Sequence, residues 1–336
     1  MRAAVIHEFK QPLTLQNVDV PVPQADEVLV QVEACGVCHS DLSIADGDWP
    51  QLKRLFKIPL IPGHEVVGRV VKAGSSVIDL AAGDRVGIAW VHSSCGACDL
   101  CQEGLENLCP KQTITGVSVD GGYAEFIRAK ASHAIKVPEV LTPEQAAPLF
   151  CAGVTSYRAV KLTGIQPGQR LAVFGIGGVG HLAVQIAKSF GAHVIAVDTT
   201  EGKLKLARDL GADQTLHASS EGIGKTFHSM GGVHAAVVTS SAKAAYAQAF
   251  YAVRPAGTLM VVGLPAEDLA FPAILMREIK IRSVATGTRQ DMREVLKLAA
   301  DSKIRCLVKT CSLSQINEVF DKMRMGQITG RIAIKM

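Results

Sequence analysis

The chain has two textures of apolar and polar positions. Up to about residue 150, short β-branched runs at 28–32, 66–71 and 124–127 are bounded by Gly, Pro and Asp. Such punctuation predicts short antiparallel strands in a barrel-like region. From about residue 153, apolar runs at 171–174, 194–197, 214–217, 235–238, 259–262 and 281–285 alternate with helix-length patterns at 179–190, 202–210 and 243–253. That alternation predicts an α/β fold with a doubly wound parallel sheet covered on both faces. Two more helical patterns, 292–300 and 313–325, and a strand-like tail, 330–335, follow. The expected division is 1–150, 151–287, and a segment 288–336 that completes the first domain.

The first strand of the second region runs into Gly175, Ile176, Gly177, Gly178, Val179 and Gly180, which open a helix. One glycine permits the tight turn, the second lets a pyrophosphate reach the backbone, and the third lets helix and strand pack closely. The phosphates then meet free N–H groups at the helix N-terminus. Asp198 ends the second strand, 18 residues after Gly180. A carboxylate there accepts both adenosine ribose hydroxyls and repels a 2′-phosphate, so NAD is expected over NADP. A glycine-rich turn with Asp198 as a plain cap is the structural alternative.

Composition narrows the classes. Of 336 residues 48% are apolar and 20% charged, which excludes a disordered chain. The formal net charge of +4 and the lack of a basic run give no nucleic-acid footprint. No apolar run nears the ~18 residues of a membrane span, and 1–10 lacks a signal-peptide core. A cytoplasmic protein with reduced thiols is therefore expected, and its nine cysteines point to metal or chemistry rather than a disulfide framework.

Cys95, Cys98, Cys101 and Cys109 form the most specific metal signal. Four thiolates fill a tetrahedral zinc site and leave no position for substrate, which makes the site structural. An iron–sulfur cluster would need a ferredoxin-like context. Three other segments carry chemistry but share no spacing rule: Cys38-His39-Ser40-Asp41, Gly63-His64-Glu65, and Cys151 to Thr155. Taken singly, His64 reads as a loop histidine and Cys151 as a small buried hydrophobe.

The ordered series CGVCHSD, PGHE, the four-cysteine loop, FCAGVTSY and GIGGVG resembles the zinc-dependent alcohol dehydrogenases of the medium-chain dehydrogenase/reductase superfamily, in their compact bacterial and yeast-type form. The likeness covers essentially the whole chain. It implies a GroES-like β-rich catalytic domain beside a Rossmann sheet. It further implies a catalytic zinc on Cys38, His64 and Cys151, so two zinc ions per chain, with Asp41 holding the far nitrogen of His64 and Glu65 supporting the metal. Ser40 would take the alcohol proton. His39 and Arg331 would reach the cofactor phosphates, Lys203 the adenosine ribose, and Thr155, Val262, Leu264, Val284 and Thr286 the nicotinamide end. Trp49 and Trp90 would wall the substrate channel, favouring small primary or flat aromatic alcohols; ordinary core packing is their other reading.

The implied reaction is reversible oxidation of a primary alcohol to an aldehyde, with the alkoxide on zinc and hydride passing to NAD. A polyol or cinnamyl-type substrate, a non-catalytic zinc-stabilised binding protein and a thiol-redox sensor are the competing readings. The small-molecule alcohol is then the partner, with no nucleic acid and no membrane. A homo-oligomer, with a tetramer favoured, is expected to form through an edge strand at 259–262 or 281–285. One departure stands out: Ser43 occupies the position where many relatives carry a proton-relaying histidine, so a water chain or direct release is expected. Cys35, Cys306 and Cys311 read as spare thiols.

Overall fold

Seventeen strands and ten α-helices are built from the described residues of this computed structural model, which are 1–49, 55–219, 223–265, 267–271 and 274–336. They group into two units. The first holds Met1–Ala152, Thr288–Ala300 and Arg305–Met336; the second holds Gly153–Gly287 and Asp301–Ile304.

In the first unit the chain runs β1 (Arg2–Val5), β2 (Thr14–Asn17), β3 (Glu27–Val37), α1 (His39–Asp46), β4 (Glu65–Ala73), β5 (Arg85–Ile88), β6 (Val91–Ser93), α2 (Asp99–Gln102), β7 (Thr113–Ile114), β8 (Phe126–Lys130), β9 (Ile135–Lys136) and α3 (Pro143–Ala146). Its main sheet has the order β16-β17-β3-β4-β5-β9, with β8 also on β3, where β16 is Val308–Ser312 and β17 is Arg331–Lys335. Pairing is antiparallel except between β16 and β17. Strand β3 is the spine. It reads EVLVQVEACGV and is buried along nearly its whole length, because β8 covers its first half, β17 its second, and β4 its other edge. Two register shifts against β4 bend the pair. Gly36 lies opposite Glu65, and a Cβ there would meet the Glu65 carboxylate at 1.9 Å, so only glycine admits that side chain.

In the second unit, α4 (Ala152–Leu162), which starts one residue before the boundary, leads to β10 (Arg170–Phe174), α5 (Gly180–Ser189), β11 (His193–Asp198), α6 (Glu201–Asp209), β12 (Gln214–His217), α7 (Ile223–Ser229), β13 (Val233–Val238), α8 (Lys243–Ala252), β14 (Val253–Val261) and β15 (Lys280–Ser283). The sheet is parallel throughout, in the order β12-β11-β10-β13-β14-β15. In chain order this is 3-2-1-4-5-6, the doubly wound arrangement in which ligands bind beyond the carboxyl ends of the strands. Strands β10, β11 and β13 are almost wholly buried and correspondingly apolar. The chain then returns through α9 (Arg289–Ala300) and α10 (Ile316–Arg324) to the first unit's strands.

Several expectations are corrected. The first unit ends at Ala152 rather than 150, because the 3₁₀ turn Ala147–Phe150 seats its Phe150 ring over Gly87 of β5 and carries Cys151 with it. Residues 301–304 belong with the second unit, not with the segment that completes the first. Strand β8 starts at Phe126, since Ala124 makes only an isolated bridge to Ala3. The 259–262 run is not an edge: β14 lies between β13 and β15, and of the two expected runs the one on β15 lies at an edge of the sheet. Strand β15 stops at Ser283, which leaves Val284 and Thr286 in the loop beyond it.

Candidate active site

Helix α1 begins at the end of β3, and this junction builds the centre. Cys38 is its N-cap, extended at φ −104° and ψ 152°, and its N–H donates to Asp41 Oδ2 at 3.0 Å. Asp41 is fully buried and takes three further donors: the Gly63 N–H at 3.3 Å, His64 Nδ1 at 2.8 Å and the Tyr123 hydroxyl at 2.9 Å. These bonds fix the His64 ring and oblige Nδ1 to carry the proton, so Nε2 is left as a bare acceptor. Nε2 is buried and has no hydrogen-bond partner. A buried unmet acceptor costs about 1–3 kcal/mol, which calls for a ligand.

That ligand has a ready seat. Cys38, His64, Glu65 and Cys151 bring donor atoms within 4.8 Å of one another, and the Cys38 and Cys151 sulfurs are 3.8 Å apart. Two thiolates on one tetrahedral zinc at about 2.3 Å lie roughly 3.8 Å apart. The geometry therefore fits zinc on Cys38, His64 and Cys151, with a fourth position left over. In the bare cluster the hydrogen bond from Cys151 holds the Cys38 thiol well below its ordinary range, and Cys151 itself is pushed well up. Burial pushes the Glu65 carboxyl up to about 7, against the pull of Arg331.

The second cluster is in the same unit. Sulfur separations are 3.9 Å for Cys95–Cys101, 3.9 Å for Cys98–Cys109 and 3.6 Å for Cys109–Cys95. These are again the edges of a ZnS₄ tetrahedron. Backbone N–H groups of Ala97 and Cys98 pull Cys95 down to about 6, which favours the thiolate a metal needs.

Around the first cluster, Trp90 stands edge-on to His64 at 4.8 Å between ring centres, and Trp49 lies at 6.2 Å from Trp90. Ser40, second in α1, is half-buried, and His39 before it is exposed. Arg331 is buried on β17 and its guanidinium donates to Glu65, because a buried carboxylate opposite Gly36 needs a countercharge. Ser43 is buried in α1.

The glycine turn in the second unit has the form its sequence predicts. Gly175 sits at φ +95°, where other residues are strained, and a Cβ on Gly180 would meet the Gly175 carbonyl oxygen at 1.8 Å. A Cβ on Gly177 would meet nothing, so the turn presents open backbone. Ile176 points inward while its N–H donates to Asp198 Oδ2 at 2.7 Å; the Thr200 N–H donates to Oδ1 at 3.1 Å. Val179 caps α5, and Gly178 lies just before it. Lys203 is half-buried in α6 and Thr155 half-buried in α4. Val262 and Val284 sit just past the carboxyl ends of β14 and β15. Leu264 is 66% exposed.

Residues 24–139 match the family described as alcohol dehydrogenase GroES-like domain, and 178–301 the one described as zinc-binding dehydrogenase. An alcohol dehydrogenase of Geobacillus stearothermophilus is 48% identical over 339 residues, spanning 100% of this chain and 99% of its own. The chain belongs to the zinc-dependent alcohol dehydrogenases of the medium-chain superfamily. A further alcohol dehydrogenase, of Moraxella sp. (strain TAE123), is 42% identical over 99% of both chains. The crystal structure of the alcohol dehydrogenase of Aeropyrum pernix shares the fold at TM-score 0.92, with 34% identity over the full length of both. As a member of this family the chain is an oxidoreductase that works with zinc and a nicotinamide cofactor.

Sequence reasoning missed three residues that support this alcohol dehydrogenase centre. Tyr123 donates to Asp41 across 82 positions. Thr239, at the end of β13, donates to the Gly175 carbonyl at 2.7 Å and holds the turn. Glu106 grips Arg289 across 183 positions. No spacing rule marks any of them. Removing the Asp41 charge tests the buried network. Asp41→Asn is expected to cost about 10–100-fold in zinc affinity or turnover, read by competition with a chromophoric chelator and by initial rates.

Proposed function

We propose that the chain reversibly oxidises primary alcohols, aliphatic or aromatic, to aldehydes with NAD. The observation that carries the reading is the unpartnered Nε2 of His64 facing the Cys38 and Cys151 sulfurs. Zinc held there supplies a Lewis acid for the substrate oxygen, and the nicotinamide ring takes the hydride. The chain's residues do the rest. Asp41 keeps the His64 ring in one tautomer. The Ser40 hydroxyl, half-buried at the start of α1, takes the alcohol proton as it passes its own on to water. Ser43 cannot serve as a base near pH 7, so the proton leaves by water. Trp90 and Trp49 narrow the approach and favour unbranched alcohols; bulky secondary alcohols are expected to be poor substrates.

Cofactor choice rests on Asp198. Its carboxylate is anchored by two backbone N–H groups, so it cannot swing away from a 2′-phosphate. Such a like-charge contact costs several kcal/mol, or about 10²–10³-fold in favour of NAD. His39, Lys203 and Thr155 are read as cofactor contacts, with Val262, Leu264, Val284 and Thr286 at the nicotinamide end. The experiment is a steady-state comparison of NAD and NADP on ethanol through benzyl alcohol, in wild type and Asp198→Ala. The variant is expected to lose most of the preference. A wild type that uses NADP more efficiently would refute the cofactor assignment.

The same reading places the protein in the cytoplasm; among the described residues no helix is long and apolar enough to cross a membrane. It is taken as a homotetramer. Strand β15 supports this, being exposed along its length with Ile281 at the free side of the sheet, where a second copy can pair.

A further inference from the structure

The first unit holds a cavity of about 390 Å³ that is separate from its two cysteine clusters: Cys38, His64, Cys151, Trp90 and the four-cysteine loop are not on its wall. The wall is built from β1, the chain at 16–22, the segment 57–61, β6, the loop 118–121 and the start of β8. Backbone bonds fix this frame. Strand β1 pairs with β2, and Ile6 and Leu60 exchange N–H···O bonds at 2.8 and 3.0 Å. The Ile61 N–H donates to Asp120 Oδ1 at 3.1 Å, and the Gly121 N–H donates to the Ile61 carbonyl at 2.6 Å. The space is therefore preformed. A dry cavity of about 150 Å³ already admits benzene, and ligand pockets begin at about 300 Å³.

The chemistry of the wall selects the ligand. Val5, Leu60, Ile61 and Ile127 are buried and give it an apolar floor. Its charges are matched or in water. Arg128 Nε lies 3.2 Å from Glu27, Lys57 Nζ lies 3.7 Å from Asp120, the Met1 amine donates to the Val18 carbonyl at 2.7 Å, and Asp19 is exposed. A charged ligand finds no buried countercharge there. His92, at the centre of β6, is the exception to this matching. It is 6% exposed, and its Nδ1 is sealed off without a hydrogen-bond partner. Burial, against the pull of Glu27, holds the ring down to about 4, so it is neutral at pH 7. A neutral imidazole has one donor and one acceptor nitrogen. With Nδ1 sealed, Nε2 is the polar atom that the ring can offer the cavity. A hydroxyl both donates and accepts, so it meets Nε2 in either tautomer.

We propose that this cavity is a second ligand site, apart from the catalytic centre, for a neutral and mostly apolar molecule with a single hydroxyl group, of which a phenol is the simplest: its body rests on the Leu60, Ile61 and Ile127 wall and its hydroxyl bonds to His92. The site stands whatever the reaction and the cofactor are.

The test follows the binding of 4-fluorophenol, 4-fluorotoluene and 4-fluorobenzoate to the zinc-loaded enzyme at pH 7 by fluorine NMR. The three probes share a ring and differ in the group presented to His92. 4-Fluorophenol should bind saturably and about tenfold more tightly than 4-fluorotoluene, the size of one net hydrogen bond, and 4-fluorobenzoate should not bind. Two variants place the site. His92→Phe keeps a ring and removes the nitrogens; it should weaken 4-fluorophenol about tenfold and leave 4-fluorotoluene within about twofold. Val18→Phe puts a larger side chain on the wall and should weaken both at least tenfold. Zinc per chain and the rate of alcohol oxidation should stay within about twofold in both, so any phenol held at the catalytic centre is the same in all three proteins. Absence of saturable binding to the wild type overturns the site. Equal affinity for 4-fluorophenol and 4-fluorotoluene, or an unweakened phenol in His92→Phe, overturns the hydroxyl recognition. Unchanged binding in both variants puts the probe elsewhere and overturns the placement, and tighter binding of 4-fluorobenzoate overturns the neutral ligand class.

Discussion

Cys38→Ser is expected to leave a folded, nearly inactive protein with one zinc per chain instead of two. The loss follows from chemistry: a serine hydroxyl is a poor zinc ligand, and a Lewis acid contributes several kcal/mol to charge stabilisation at the reacting oxygen. At 1.4 kcal/mol per tenfold, turnover should fall by about a thousandfold or more. The fold should survive because the backbone at this position is what the structure uses. The Cys38 N–H still reaches Asp41 Oδ2, and serine is a favoured N-cap for α1. Metal analysis, thermal unfolding and NADH formation on the same preparation check all three parts. A variant within tenfold of wild-type turnover would show that Cys38 is no ligand.

Cys109→Ser should act oppositely, on stability before chemistry. Cys109 is the one fully buried ligand of its cluster, and of the residues from 95 to 109 only Glu106, Asn107 and Cys109 are buried. Little apolar packing holds this lobe without metal. Structural zinc sites contribute folding free energy outright, about 10–16 kcal/mol in isolated peptides. Losing even a third of that here should lower the unfolding midpoint by about 10 °C, with the lobe becoming the first protease-sensitive segment. An unaltered midpoint with the metal gone would mean that the lobe is held by other contacts.

Much of this was legible along the chain. The central parallel strands β10, β11 and β13 showed as short apolar runs because strands buried on both faces leave little room for polar residues. The glycine turn showed because a left-handed backbone at Gly175 and the close approach at Gly180 each call for glycine. The four-cysteine loop closes over 14 positions, so its spacing alone carries the geometry. The scattered centre was different. Cys38, His64 and Cys151 meet only through the pairing of β3 with β4 and the docking of the turn before Cys151, and their grouping came from family likeness rather than spacing. The pairing of Arg331 with Glu65 escaped for a related reason. Its partner Glu65 lies across β3, and the space for that carboxylate is made by the absent side chain of Gly36, a feature of register that a linear reading cannot display. Tyr123 and Glu106 escaped because one buried hydrogen bond between distant residues has no sequence signature.

The ion pair of Arg331 with Glu65 carries a consequence for biosynthesis. The partners are 266 positions apart, and Arg331 arrives on the last strand of the chain. A growing polypeptide can close its four-cysteine loop as soon as residue 109 has emerged. Glu65, beside His64, must wait until residue 331 has emerged, 266 positions later, before its countercharge appears. The structural metal can therefore load early in translation, whereas the catalytic centre is completed only once residue 331 is made, and a chain truncated before it should be metal-stabilised yet turn over poorly.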